Sequence, residues 1–127
     1  MQRNARVTVG GMGIHTRPAA MIVETLTQRF PDRRPQVRFR VPSWTMQIDE
    51  NQISGSSWQE LDPFSILNLL SASLDRESVF EVVCSGEQAD EAFEVLRALF
   101  TEAPEDTLAG EFFSGTRWEE LHPGESL

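Results

Sequence analysis

The sequence predicts an α+β fold, a small and mainly antiparallel sheet with helices on one face. Three observations lead there. Some segments alternate apolar and polar residues, as strands do: Val7 and Val9 lie opposite Arg6 and Thr8. Others space apolar residues helically, such as Ala19, Ile22, Val23, Leu26 and Phe30. Their order, β-α-β-β-α-β-α, leaves few parallel crossovers.

The elements follow in turn. Ala5–Val9 is a short strand, and Gly10, Gly11 and Gly13 mark a loop. Arg17–Phe30 is a helix, with Pro18 in its first turn, where a missing N–H costs nothing, and Pro31 as its stop. Val37–Val41 alternates as a second strand, and Pro42 ends it or marks an edge. Met46 and Ile48 alternate, Asp49–Asn51 reads as a turn, and Gln52–Ser54 returns as a third strand. Ser57-Trp58-Gln59-Glu60 carries a capping pattern that predicts one short turn. Asp62-Pro63 starts a helix bearing Ile66, Leu67, Leu70 and Leu74. Val79–Ser85 is a buried strand, and Glu87–Phe100 a helix with acids in its first turns. Residues 102–127 are set apart as an acidic tail, in which Phe112, Phe113 and Trp118 speak for some packing.

The 127 residues suffice for one ordinary domain. No apolar run is long enough for a membrane span, and the N-terminal segment has no apolar core of a secretory leader. The single cysteine, Cys84, fits a reducing compartment and a core position in its strand. The net charge of −9 is unevenly spread: residues 1–40 hold eight arginines against Glu24 and Asp32, a net +6, and the remainder carries −15. Every cation is arginine. Overall acidity argues against nucleic acid, even with Trp44, Trp58 and Trp118 available for stacking. The basic front suggests a local anion site or a polarised docking face. Two histidines and one cysteine give no zinc spacing, and neither a P-loop nor a complete dinucleotide fingerprint occurs, so no metal or cofactor is expected.

The informative stretch is Gly13-Ile14-His15-Thr16-Arg17-Pro18-Ala19-Ala20. His15 stands where a glycine loop enters a helix, whose first turn offers free N–H groups and the positive dipole end. Arg17 adds a guanidinium able to grip phosphate through two donors. A histidine so placed can accept a phosphoryl group by positioning and electrostatics alone.

This segment closely resembles the active-site segment of HPr, the histidine-containing phosphocarrier family of the bacterial phosphotransferase system. Ser65-Ile66-Leu67-Asn68-Leu69-Leu70, followed by Val79–Gly86, resembles the family's regulatory-serine helix and last strand. The resemblance covers roughly residues 5–101, giving an HPr-like domain over 1–101 with an insertion between about 42 and 64. It implies an open-faced β-sandwich of four strands with three helices on one face. It further implies a cytoplasmic carrier rather than a stand-alone enzyme. His15 would take a phosphoryl group on Nδ1 from an enzyme I-like donor and pass it to a IIA-type acceptor of a sugar or related regulatory system. Arg17 would neutralise the phosphate, aided by the amides of Thr16 and Arg17. Thr16, Ile66, Leu67 and Leu70 would dock partners. Ser65 would be the target of an HPr serine kinase, with Ser57 as the alternative, because Ile53–Ser57 also resembles the approach to that serine.

Where members usually carry docking cations, this sequence has Glu24, Thr27, Phe64 and Asn68. Extra positive charge near His15 would come from the arginines between 29 and 40. The loss of docking cations also motivates an alternative, a regulatory adaptor of the same fold that signals by binding and is switched by serine phosphorylation.

Overall fold

The alternating segments form strands, and these join in one sheet. The computed structural model describes residues 2–49 and 52–125, with the backbone alone for 43–49 and 52–56. In chain order the elements are β1 (Gln2–Thr8), α1 (Thr16–Arg29), β2 (Gln36–Asp49), β3 (Gln52–Leu61), α2 (Ile66–Leu70), β4 (Val79–Ser85), α3 (Ala89–Thr101), α4 (Leu108–Phe113) and β5 (Arg117–Leu121). The strand order is β3-β2-β4-β1-β5, and every neighbouring pair is antiparallel.

Register turns the sequence pattern into two faces. Ala5 lies opposite Val82, Val7 opposite Phe80, and on the other side of β4, Phe39 opposite Val82 and Val37 opposite Cys84. All seven side chains are buried and meet Ile22 and Leu26 of α1 and Phe93, Leu96 and Phe100 of α3 in one core. The reverse face is polar. There Arg6 pairs with Glu119 at 3.1 Å, Arg38 with Glu60 at 3.3 Å and Arg40 with the buried Glu81 at 3.5 Å.

The α+β class and the order of the first seven elements match the expectation, but the sheet has five strands rather than four and the helices number four rather than three among the described residues. Both additions come from the segment read as an acidic tail. β5 pairs with β1, with Ala5 opposite Glu120 and Val7 opposite Trp118. Aromatic side chains anchor this segment: Phe113 meets Phe100 edge-on at 5.0 Å, and Trp118 meets Phe93 edge-on at 5.0 Å. Phe112 and Phe113 are both buried.

Three local expectations are corrected. Of the two readings of Pro42, the strand end fails, since β2 runs on to Asp49, and the edge position holds. β4 accompanies β2 only as far as Arg40, so beyond it one edge of β2 is open and tolerates a residue without N–H. Residues 57–60 form strand rather than a turn, because pairing of Trp58 with Pro42 and Glu60 with Arg40 overrides the capping pattern. The helix expected from Asp62 begins only at Ile66 and ends before Leu74. Most of the stretch from 42 to 64, where the resemblance implies an insertion, lies in the long paired strands β2 and β3. Of the turn expected at Asp49–Asn51, Glu50 and Asn51 lie outside the described residues, and Asp49 is the last residue of β2.

Cys84 sits in the core as anticipated, and burial pushes its thiol up to about 12, with Arg3 opposing the shift. Arg3 also donates to Glu120 on β5 at 2.9 Å and holds that carboxyl below the usual carboxylate range.

Two outcomes follow. Phe113→Ala is expected to cost about 3–5 kcal/mol in urea unfolding, the range for truncating a buried aromatic, where a loose tail would cost nothing. Glu120 has a lowered folded-state pKa. Its pair with Arg3 therefore stabilises above the unfolded value of about 4.3 and is lost as pH falls through the folded value. Glu120→Gln should be less stable than wild type at neutral pH by about 0.2–1 kcal/mol, as for an exposed pair, with the difference closing in acid.

Candidate functional site

His15 is the N-cap of α1, in extended backbone with φ −90° and ψ −167°. Its carbonyl accepts from the Ala19 amide at 2.9 Å, starting the helix. Its ring is exposed and caps nothing. Thr16 and Arg17 follow as the first two helical residues, both exposed. N–H groups of a first turn have no acceptor inside their helix, and Pro18 has none to offer, so Thr16 and Arg17 supply the amides there. His15, the amides of Thr16 and Arg17 and the Arg17 side chain thus all belong to the N-terminal end, the positive dipole end, of a fourteen-residue helix.

The loop before His15 is fixed from two sides. Gly13 adopts φ +78°, a conformation side chains disfavour, and the next amide, Ile14, donates to the Leu74 carbonyl at 2.7 Å. Val9 and Glu77 exchange the same kind of bond with Ser78 and Val9 at 2.8 and 2.7 Å. On the other side, the Gly10 amide donates to Thr116 Oγ1 at 3.1 Å. Gly11, at φ +56°, lies so close to the Phe112 carbonyl that a Cβ would overlap it. The residues that aim His15 are therefore held by the loop after α2 and by the turn between α4 and β5.

Arg17 forms no ion pair among the described residues, and its guanidinium carbon stands 5.4 Å from the centre of the Phe112 ring. The other arginines are engaged elsewhere. Arg29 pairs with Glu91 at 3.2 Å, Arg33 with Glu87 at 3.8 Å, and Arg38 and Arg40 with Glu60 at 3.3 and 4.0 Å. Arg34 lies over the Phe64 ring at 4.9 Å. Arg29 ends the helix that His15 begins, about 20 Å along its axis. The expected contribution of residues 29–40 to the phosphate site is thereby corrected: four of these five arginines are neutralised by carboxylates. Phe112 is the site-adjacent residue that sequence reasoning missed. The only signal for it was the aromatic pair in an acidic stretch.

α2 begins with Ser65 as its N-cap, whose Oγ accepts from the Asn68 amide at 3.2 Å. Asp62 instead closes the preceding turn by accepting from the Phe64 amide at 2.9 Å, so Ser65 is the cap and not a first-turn residue. Of the expected docking residues, Leu67 is 82% exposed and Ile66 36%, while Leu70 packs partly against the core. Ser57 lies in β3, opposite Ser43.

Comparisons with known proteins bear on the family and the fold. Residues 4–102 match the family model described as the PTS HPr component phosphorylation site. Among solved structures, the chain is similar to HPr-C-His from Thermoanaerobacter tengcongensis, with a TM-score of 0.53 and 20% identity, covering 76% of this chain and 88% of that one. No curated protein sequence matches. α4 and β5 lie beyond the residues that the family model matches.

Gly11→Ala tests whether the loop is keyed to the C-terminal turn. The added Cβ meets both a positive φ and the Phe112 carbonyl, so the variant should lose about 1–3 kcal/mol in urea unfolding.

Proposed function

The chain belongs to the PTS HPr family, and from that premise we propose that it is a phosphocarrier whose His15 takes a phosphoryl group from an enzyme I-like phosphohistidine protein and hands it to a IIA-type acceptor. The observation that carries this reading is His15 itself. Its ring is exposed and makes no cap hydrogen bond, and it stands at a helix N-terminus beside an arginine that has no carboxylate partner among the described residues. In the transfer, the donor's N–P bond breaks as a ring nitrogen lone pair of His15 forms the new one. Each phosphoryl oxygen charge then lies near the Thr16 and Arg17 amides and the guanidinium. Ile66 and Leu67 provide an exposed apolar surface on α2, which packs against α1 and suits a transient protein partner. Leu70, being partly buried, supports that surface from beneath. Sugar uptake or a related regulatory system is the setting, in the cytoplasm. Among the described residues no helix is long and apolar enough to cross a membrane.

Ser65 is our choice for regulatory phosphorylation by an HPr serine kinase. Its support is its place at the cap of the helix that presents Ile66 and Leu67. A phosphate there adds close to two negative charges beside the docking residues. Ser57, in the middle of paired strand, is the weaker alternative.

A second reading, a regulatory adaptor, is favoured by Glu24, Thr27, Phe64 and Asn68, which stand where the family usually carries docking cations. Ser65→Asp that captures a different partner set from wild type would support it, and an unchanged set would remove it.

The carrier reading is tested by incubation with phosphoenolpyruvate and the cognate enzyme I, followed by intact-mass measurement. An acid-labile gain of one phosphate is expected, absent in His15→Ala. Arg17→Ala should slow it roughly 10- to 100-fold, the worth of a charge-assisted contact. No gain with an active enzyme I would contradict the reading.

A further inference from the structure

The C-terminal segment reaches the start of α1 in three places. The Phe112 carbonyl sits against Gly11, Thr116 Oγ1 accepts from Gly10, and the Phe112 ring lies against the Arg17 guanidinium at 5.4 Å. The ring is 3% exposed, held in α4 and packed into the core, whereas Arg17 is exposed. A fixed ring therefore meets a mobile type of side chain.

We propose that Phe112 is a positioning residue for Arg17, which makes α4 a working part of the phosphate site. The inference rests on the reading of His15 and Arg17 as that site. Its physical basis is preorganisation. A long arginine side chain loses rotamer freedom when it grips an anion, and that loss weakens binding. A cation held within about 6 Å of a ring face has already lost part of that freedom. Contact with a ring also consumes no N–H donor, so all five remain for phosphate, whereas a carboxylate partner would occupy some of them and offset the charge. Neither His15 nor the two amides touches Phe112 in this scheme. Phe112 acts only through Arg17.

The experiment is a titration of the full chain with inorganic phosphate, followed through the His15 imidazole resonances. Wild type, Phe112→Leu, Arg17→Ala and the double variant are compared. Phe112→Leu should weaken phosphate binding about two- to fivefold, the range for an exposed cation–ring contact. In the Arg17→Ala background the same change should have no further effect, because the ring acts through that guanidinium. Equal losses in both backgrounds, or no loss in the first, would overturn the proposal. Wild type supplies a readout that needs no variant: nuclear Overhauser contacts between the Phe112 ring and the Arg17 side-chain methylenes. Their presence is expected even if Phe112→Leu folds poorly, and their absence counts against the assignment. No phosphoryl donor enters these measurements. A chain that enzyme I fails to phosphorylate would remove the carrier reading, while the titration would still decide on Phe112.

Discussion

The His15 end of the molecule depends on a backbone seam. Residues 9–14 lie outside helix and strand, yet the amides of Val9, Gly10 and Ile14 find acceptors on both flanks. Val9 and Ile14 bond to Ser78 and Leu74 from the stretch between α2 and β4, and Gly10 bonds to Thr116 between α4 and β5. Buried backbone groups must find partners, and here the partners come from two segments far apart in sequence. Small residues permit the approach, since a side chain at Gly11 would strike the Phe112 carbonyl. The direction in which α1 begins, and with it the placing of His15 and Arg17, follows from this clamp. A histidine at the start of an unclamped helix would share the dipole but have no fixed relation to its neighbours.

The charge imbalance takes on a different meaning once the chain is folded. The basic front half and the acidic remainder largely face one another. Arg3 meets Asp90, Glu94 and Glu120, while Arg6 meets Glu119, Arg29 meets Glu91 and Arg33 meets Glu87. Pairs this exposed contribute little stability singly. Their effect is on register and partner choice: acids on β5 and α3 suit β1 and the end of α1, and unmatched strands would place like charges together. What the pairing leaves over matters more for function. Arg17 stays outside these ion pairs, which leaves its guanidinium for the anion we propose it binds.

Local signals were read well where one element's own residues decide the outcome. The spacing from Ala19 to Phe30 and the glycines before His15 place α1 and its first turn within a residue of the observed start. β4 matches from Val79 to Ser85, because a β-branched and aromatic run buried on a central strand announces itself. Signals failed where distant pairing decides. Ser57–Glu60 has the letters of a helix cap, but β2 holds it extended. Arg117–Leu121 has no apolar alternation, since three of its five residues are charged, and it becomes a strand through β1's open edge and through Trp118. The Phe112 contact with Arg17 spans 95 positions of sequence, and no periodicity encodes such a meeting.

The added helix and strand thus close the edge of β1 and supply the ring and the backbone that lie beside Arg17 and Gly11, next to the phosphate site we propose. That dual role is the central claim, and native-state amide hydrogen exchange tests it most directly. If α4 and β5 belong to the domain, the β5 amides bonded to β1 and the amides of α4 should open only with the sheet, with protection close to that of β4. Fast exchange across 108–121, alongside full protection of β4, would contradict it and return the segment to a tail.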